Sequence, residues 1–163
     1  REVFDQFEGK ADKKDLTMTF MDGAPPDVVV YADRQKIYQV MLNLISNAIK
    51  YKKEGEGLLE VGFRMLGYEV EVIVRDHGVG IPHEHLGRIF ERFYRVEKSR
   101  SKDKGGTGLG LSIVKHILEV HQSTIHVKSI PGEGTTFWFR LRTSEHSSQH
   151  HAAAREEHEV SAP

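Results

Sequence analysis

The chain has 163 residues, 38% of them apolar, with 23 basic and 24 acidic side chains and a formal charge of −1; this is enough chain for one buried core. The near balance of charge excludes the electrostatic footprint of a nucleic-acid binder or a membrane-surface protein. The absence of cysteine excludes a disulfide framework and thiolate metal sites and fits a reducing compartment, while no signal peptide and no apolar run near the ~20 residues that span a bilayer leave a soluble domain as the expectation.

Residues 1 to 14 read as a short amphipathic helix, and the opening Arg1-Glu-Val-Phe4 has the character of mid-helix, as expected of a fragment. Leu16 to Phe20 and Val28 to Ala32 read as two strands flanking the turn Asp22-Gly-Ala-Pro-Pro26. Asp33 is placed as the N-cap of the clearest helix, whose Ile37, Val40, Met41, Leu44, Ile45, Ala48 and Ile49 form one apolar stripe. After Lys53-Glu-Gly-Glu-Gly57, two alternating runs predict an antiparallel hairpin: Leu59, Val61, Phe63 and Met65, then Val70, Val72 and Val74. A helix is predicted from about His83 to Arg92, followed by a charged loop from Glu97 to Gly106. Leu111, Ile113, Val114, Ile117, Leu118 and Val120 predict a second long helix, and Ile125 to Ile130 with Thr135 to Leu141 a last hairpin about Pro131-Gly-Glu-Gly134. From Ser144 to Pro163 one valine is the only large aliphatic residue and there are no aromatics, so a disordered tail is expected. Helices mixed with antiparallel strand pairs predict an α/β (α+β) two-layer sandwich with its helices on one face of a mixed, largely antiparallel sheet.

Three segments carry candidate chemistry. In Asn43-Leu-Ile-Ser-Asn47-Ala-Ile-Lys50-Tyr51 the two amides and the cation share nearly one helical face, with Tyr51 at its rim. Asparagine is a poor helix former; the pair reads either as solvated amides on an outward face or as an oxygen for magnesium at Asn47 with Lys50 for phosphate oxygens. In Asp76-His-Gly78-Val-Gly80-Ile-Pro82 a carboxylate ends a strand beside two glycines. Asp76 reads either as the acceptor for an exocyclic amine such as that of adenine or as a turn residue bonded to its own backbone. In Gly106-Thr107-Gly108-Leu109-Gly110-Leu111 alternating glycines open a helix, where backbone N–H groups and the helix dipole favour an anion. The spacing is not that of a Rossmann fingerprint, and no Walker or protein-kinase motif is present.

In this order the three segments resemble the N, G1 and G2 boxes of the sensor histidine kinase catalytic domain, the ATP-binding module of the wider family that includes DNA gyrase, MutL-type repair ATPases and the heat-shock chaperone. The resemblance runs from about Leu16 to Leu141 and includes an F box, Ile89-Phe90-Glu91-Arg92-Phe93-Tyr94-Arg95. It implies the Bergerat-type ATP-binding fold over a catalytic domain of residues 1–143 (core about 16–142), with ATP and Mg2+ as ligands. Asn47 resembles the magnesium asparagine, Lys50 the phosphate lysine, Tyr51 the aromatic against adenine and Asp76 the adenine reader, with Gly78, Gly80 and Ile81 completing that box. Gly106, Thr107, Gly108, Leu109 and Gly110 resemble the hinge and cradle of an ATP lid spanning about 96–105, with Phe93 anchoring its base. Arg95 is similar to the arginine that supports the transferred phosphoryl, with Arg100 as a second.

Relatives that hydrolyse ATP resemble one another in a glutamate base one helical turn before the magnesium asparagine. Here that position is Asn43, whose amide cannot accept a proton from water at neutral pH. The resemblance therefore implies a protein-histidine kinase, acting on a histidine of a separate dimerisation and phosphoacceptor domain. His83-Glu84 and His158-Glu159 do not match that acceptor stretch. It further implies a response regulator as downstream partner, no nucleic acid, no direct membrane contact, and a cytoplasmic domain whose parent is anchored in the bacterial membrane. An anti-sigma-type serine kinase and a non-catalytic nucleotide-sensing module are the rival readings. His83 and His85, two apart, and His116 and His121, five apart on a helix, lack metal-site geometry without a carboxylate cluster.

Overall fold

The computed structural model describes residues 5, 6, 8, 9, 15–21, 27–96 and 108–144. Residues 5, 6, 8 and 9 are helical, as expected of the first segment. The remainder of that segment, the turn at 22–26, the loop at 97–107 and the tail beyond 144 lie outside the described residues. Five strands follow in chain order, β1 (Leu16–Phe20), β2 (Gly57–Leu66), β3 (Glu69–Asp76), β4 (His126–Ile130) and β5 (Gly134–Arg142), with helices α1 (Arg34–Lys50) and α2 (Gly110–Val120). They form one sheet in the order β1-β2-β3-β5-β4. β1 pairs parallel with β2 and every other pair is antiparallel.

Strand alternation decides which face is covered. Val70, Val72 and Val74 of β3 and Phe137, Phe139 and Leu141 of β5 point to one side, and all are buried. Val40, Leu44, Ile45 and Ala48 of α1 and Val114, Ile117 and Leu118 of α2 close over them, each full burial of such a side chain being worth about 1.5–3 kcal/mol. The helices are also tied end to end. His121 Nε2 accepts the Asp33 N–H at 3.0 Å and its Nδ1 donates to Ile117 O at 2.7 Å. Asp33 caps α1 as expected, accepting from Lys36 N at 3.0 Å. On the opposite face Trp138 stacks on His126 with centroids 5.3 Å apart, and buried Glu71 is neutralised by Arg64 and Arg140 at 2.8 and 3.0 Å.

Two expected elements differ. Val28 to Ala32 is not a strand: Val30 makes a single bridge to Thr143. β5 is paired along its length with β3 and over Gly134–Trp138 with β4, and this segment meets only its far end, where Tyr31 N donates to Arg142 O at 2.9 Å and Ser144 N to Val29 O at 2.8 Å. The helix expected from His83 to Arg92 is a 3₁₀ turn, His83–His85, followed by further turns. Its backbone bonds reach mainly three residues back, Arg88 N to His85 O at 2.9 Å and Glu91 N to Arg88 O at 2.9 Å. Gly87 weakens a helix there; Ile89 is buried in the core and Phe90, half-buried, packs against it, meeting Phe137 edge to face at 6.3 Å.

Candidate active site

A cleft of about 190 Å³ opens between α1, the turn segment that ends at Arg95, and the start of α2. α1 contributes Asn43, Ser46, Asn47 and Lys50, and Tyr51 follows at its C-cap. Lys50 lies in the last turn, where the helix dipole favours a cation, with its Nζ 5.2 Å from the Tyr51 ring centroid. Facing them are Tyr94 and Arg95 from the turn segment and Gly108, Gly110 and Leu111 from the start of α2. Side chains from three separate motifs thus meet in one cleft.

Two features of its wall call for a polar guest. The Asn43 amide nitrogen is buried with no hydrogen-bond partner among the described residues, a cost of about 1–3 kcal/mol unless something fills the role. In addition, Leu109 at the N-cap of α2 makes no side-chain bond to the first turn among the described residues, an arrangement of N–H groups and helix dipole that suits an anion. Gly108 is required by its backbone: φ is +71° and a Cβ there would lie 2.8 Å from Phe93 Cα. Phe93 itself holds φ at 63° and its N–H donates to Gly108 O at 2.9 Å, hooking the turn segment onto the start of α2.

Asp76, Gly78, Gly80, Ile81, Phe93 and Leu109 are not among the residues lining this cleft. The Asp76 box is nevertheless joined to its rim, since Val79 N donates to Tyr51 O at 3.1 Å. Asp76 is 7% exposed; its Oδ1 accepts from Gly78 N at 2.9 Å and from Thr135 N at 3.2 Å, while Oδ2 takes no bond from a described residue. The turn-forming alternative for this aspartate is therefore realised by one oxygen. Burial pushes the carboxyl above its ordinary value of 3.8, and the bonds from Gly78 and Thr135 and the nearby His77 offset part of that rise. Gly80 has φ of +72°, and a Cβ would come within 2.3 Å of Ile130 O, so its close approach is to the β4–β5 turn. Ile81 is buried and donates its N–H to Ser129 Oγ at 2.7 Å.

Sequence reasoning missed Thr135 and Ser129. They face each other in the β4–β5 register and bond through their hydroxyls at 2.8 Å, fastening the strands on which Asp76 and Ile81 depend. The available signal was polar residues on the inward side of an otherwise apolar hairpin. Arg100, Gly106 and Thr107 lie outside the described residues.

The profile of the family described as histidine kinase-, DNA gyrase B- and HSP90-like ATPase matches residues 32–145. The sensor-like histidine kinase SenX3 of Mycobacterium tuberculosis is 40% identical over 140 residues, covering 86% of this chain and 33% of SenX3; the chain thus spans about a third of that relative's length. Among solved structures, the catalytic domain of histidine kinase ThkA superposes with a TM-score of 0.72 at 34% identity, over 87% of this chain and 90% of that domain. ThkA in complex with the response regulator protein TrrA is similar at a TM-score of 0.69 and 31% identity, over 88% of this chain and 39% of that one. The five-stranded sheet with its helices on one face is the α/β sandwich of these catalytic domains.

Proposed function

Since the chain belongs to the histidine kinase-, DNA gyrase B- and HSP90-like ATPase family, whose domain binds ATP, we propose that it is the catalytic domain of a two-component sensor histidine kinase. It takes ATP and transfers the γ-phosphoryl to a histidine on a separate dimerisation domain. The observation that carries this reading is the convergence of Asn43, Asn47, Lys50, Arg95 and the start of α2 on one cleft.

The roles follow from the chemistry of each group. Asp76 Oδ2 accepts from the adenine amine and the Tyr51 ring lies against the base. The first turn of α2 and Lys50 take the phosphates. Asn47 supplies a carbonyl oxygen suited to Mg2+, and the orphaned Asn43 amide donates to a phosphate oxygen or a water beside it. When bound, the metal neutralises charge developing on the transferred phosphoryl. Arg95 supports the same group from the opposite wall, as positioning and charge neutralisation are most of what phosphoryl transfer asks of a protein. Asn43 offers no base to water, which favours transfer over hydrolysis. In this reading Arg100, Gly106 and Thr107 also contact the nucleotide and 96–105 is the ATP lid.

A response regulator is the downstream partner in this account, and the parent is a membrane-anchored sensor with this domain in the cytoplasm. No described helix is long and apolar enough to cross a membrane. Calorimetric titration of the chain with ATP and magnesium tests the first step: saturable one-to-one binding is expected, and its absence would withdraw the assignment.

A further inference from the structure

Asn43, Asn47 and Lys50 reach the cleft from a rigid helix, whereas Tyr94 and Arg95 do not. They stand at the end of a segment of single turns, the last of them Tyr94 N to Glu91 O at 3.3 Å, hooked to the start of α2 by the one Phe93 N to Gly108 O bond among the described residues. A wall built on such a segment needs side-chain tethers to keep its shape. The Tyr94 ring has two: its hydroxyl is hydrogen-bonded to His85 Nδ1, and Arg88 Cζ lies over the ring, 4.5 Å from its centroid.

His85 is well placed to act as the fixed end. Its own N–H donates to Pro82 O at 3.0 Å and its carbonyl accepts from both Arg88 N and Ile89 N, at 2.9 and 3.1 Å. The ring is mostly buried, its side chain 23% exposed, with Nε2 3.5 Å from Glu84 Oε1. An imidazole can accept from a phenol or, when protonated, donate to it, so the tether persists in either state and mutational coupling is its proper test.

We propose that His85 is a positioning residue for the nucleotide cleft: its bond to the Tyr94 hydroxyl holds that ring as a preformed wall, and with it the backbone that presents Arg95. This rests on the reading of the cleft as an ATP site. Without the tether the ring must be ordered at the moment of binding, and the affinity of the complex drops by the cost of ordering it.

ATP affinity of the 163-residue chain, measured by calorimetry alongside thermal unfolding, is the test. His85→Ala and Tyr94→Phe should each weaken ATP about fivefold, the cost of immobilising one side chain. The double variant should be no weaker than either single one. His85→Gln, whose amide can still bond the hydroxyl, should stay within about twofold. A role in folding alone would lower the melting temperature of these variants without moving affinity or producing coupling. Additive losses, or unchanged affinity in Tyr94→Phe, would overturn the inference while the ATP site stood. A parent chain that binds no ATP would overturn the site reading, and this inference with it. If His85→Ala does not fold, Tyr94→Phe, which removes one oxygen, carries the comparison against His85→Gln.

Discussion

Asp76→Asn is expected to weaken ATP about 100-fold while leaving the unliganded fold at least as stable at about pH 7. Asparagine keeps an Oδ1 for the Gly78 and Thr135 N–H groups, so the local turn survives. Its Nδ2, however, places a donor where the Asp76 Oδ2 acceptor stood, opposite the adenine amine that is itself a donor. A site built to hydrogen-bond a ligand group rejects the mismatch strongly, because both buried partners are left unpaired.

The stability half of the prediction follows from the sign of the pKa shift. Burial raises the Asp76 carboxyl above 3.8, so the folded state binds this proton more tightly than the unfolded chain. The associated stability is complete below 3.8 and is lost as pH rises through the folded value; at neutral pH the ionised, buried carboxylate is a net cost. Asparagine never ionises and removes that cost. Thermal melts of parent and variant should therefore converge as pH falls toward 3.8 and separate in favour of the variant as it rises. Unchanged ATP affinity would remove Asp76 from the site, and a variant less stable at neutral pH would contradict the burial argument.

Asn47→Ala should abolish the gain in ATP affinity that magnesium confers, a loss of roughly 10- to 100-fold in the presence of the metal and much less in its absence. Alanine is the better helix former by roughly half a kcal/mol, and Asn47 lies inside α1, so the variant should fold at least as well as the parent. Calorimetric titration with and without magnesium separates the two contributions. An equal magnesium effect in parent and variant would show that the metal is held elsewhere.

Legibility in the sequence follows the range of the interactions. α1 and its cap at Asp33 depend on neighbours three and four residues apart, and the β2–β3 and β4–β5 hairpins on alternation and short turns, so all of these were readable. Asn43, Asn47 and Lys50 were readable as one helical face for the same reason. The strand expected at Val28 to Ala32 failed because this segment meets only the far end of β5, a property of the whole sheet. The helix expected at His83 to Arg92 failed because Ile89 and Phe90 answer to distant core partners, Phe90 to Phe137 among them. Asp76 shows both cases at once: its bond to Gly78 N is local, while that from Thr135 N comes from 59 residues away. His85 looked uninformative in the sequence because its partner Tyr94 shares no helical spacing with it.

The most direct measurement of the central claim is phosphoryl transfer from γ-labelled ATP to the helical hairpin of the parent kinase, supplied in trans, with acid and base treatment of the labelled product. The chain alone should neither label itself nor hydrolyse ATP appreciably, since Asn43 provides no base for water. With the hairpin it should produce an acid-labile, base-stable label on one histidine, and Arg95→Ala should slow that transfer more than it weakens ATP binding. Rapid hydrolysis by the chain alone, an acid-stable and base-labile label on serine, or ATP binding with no transfer to the hairpin would each contradict the assignment.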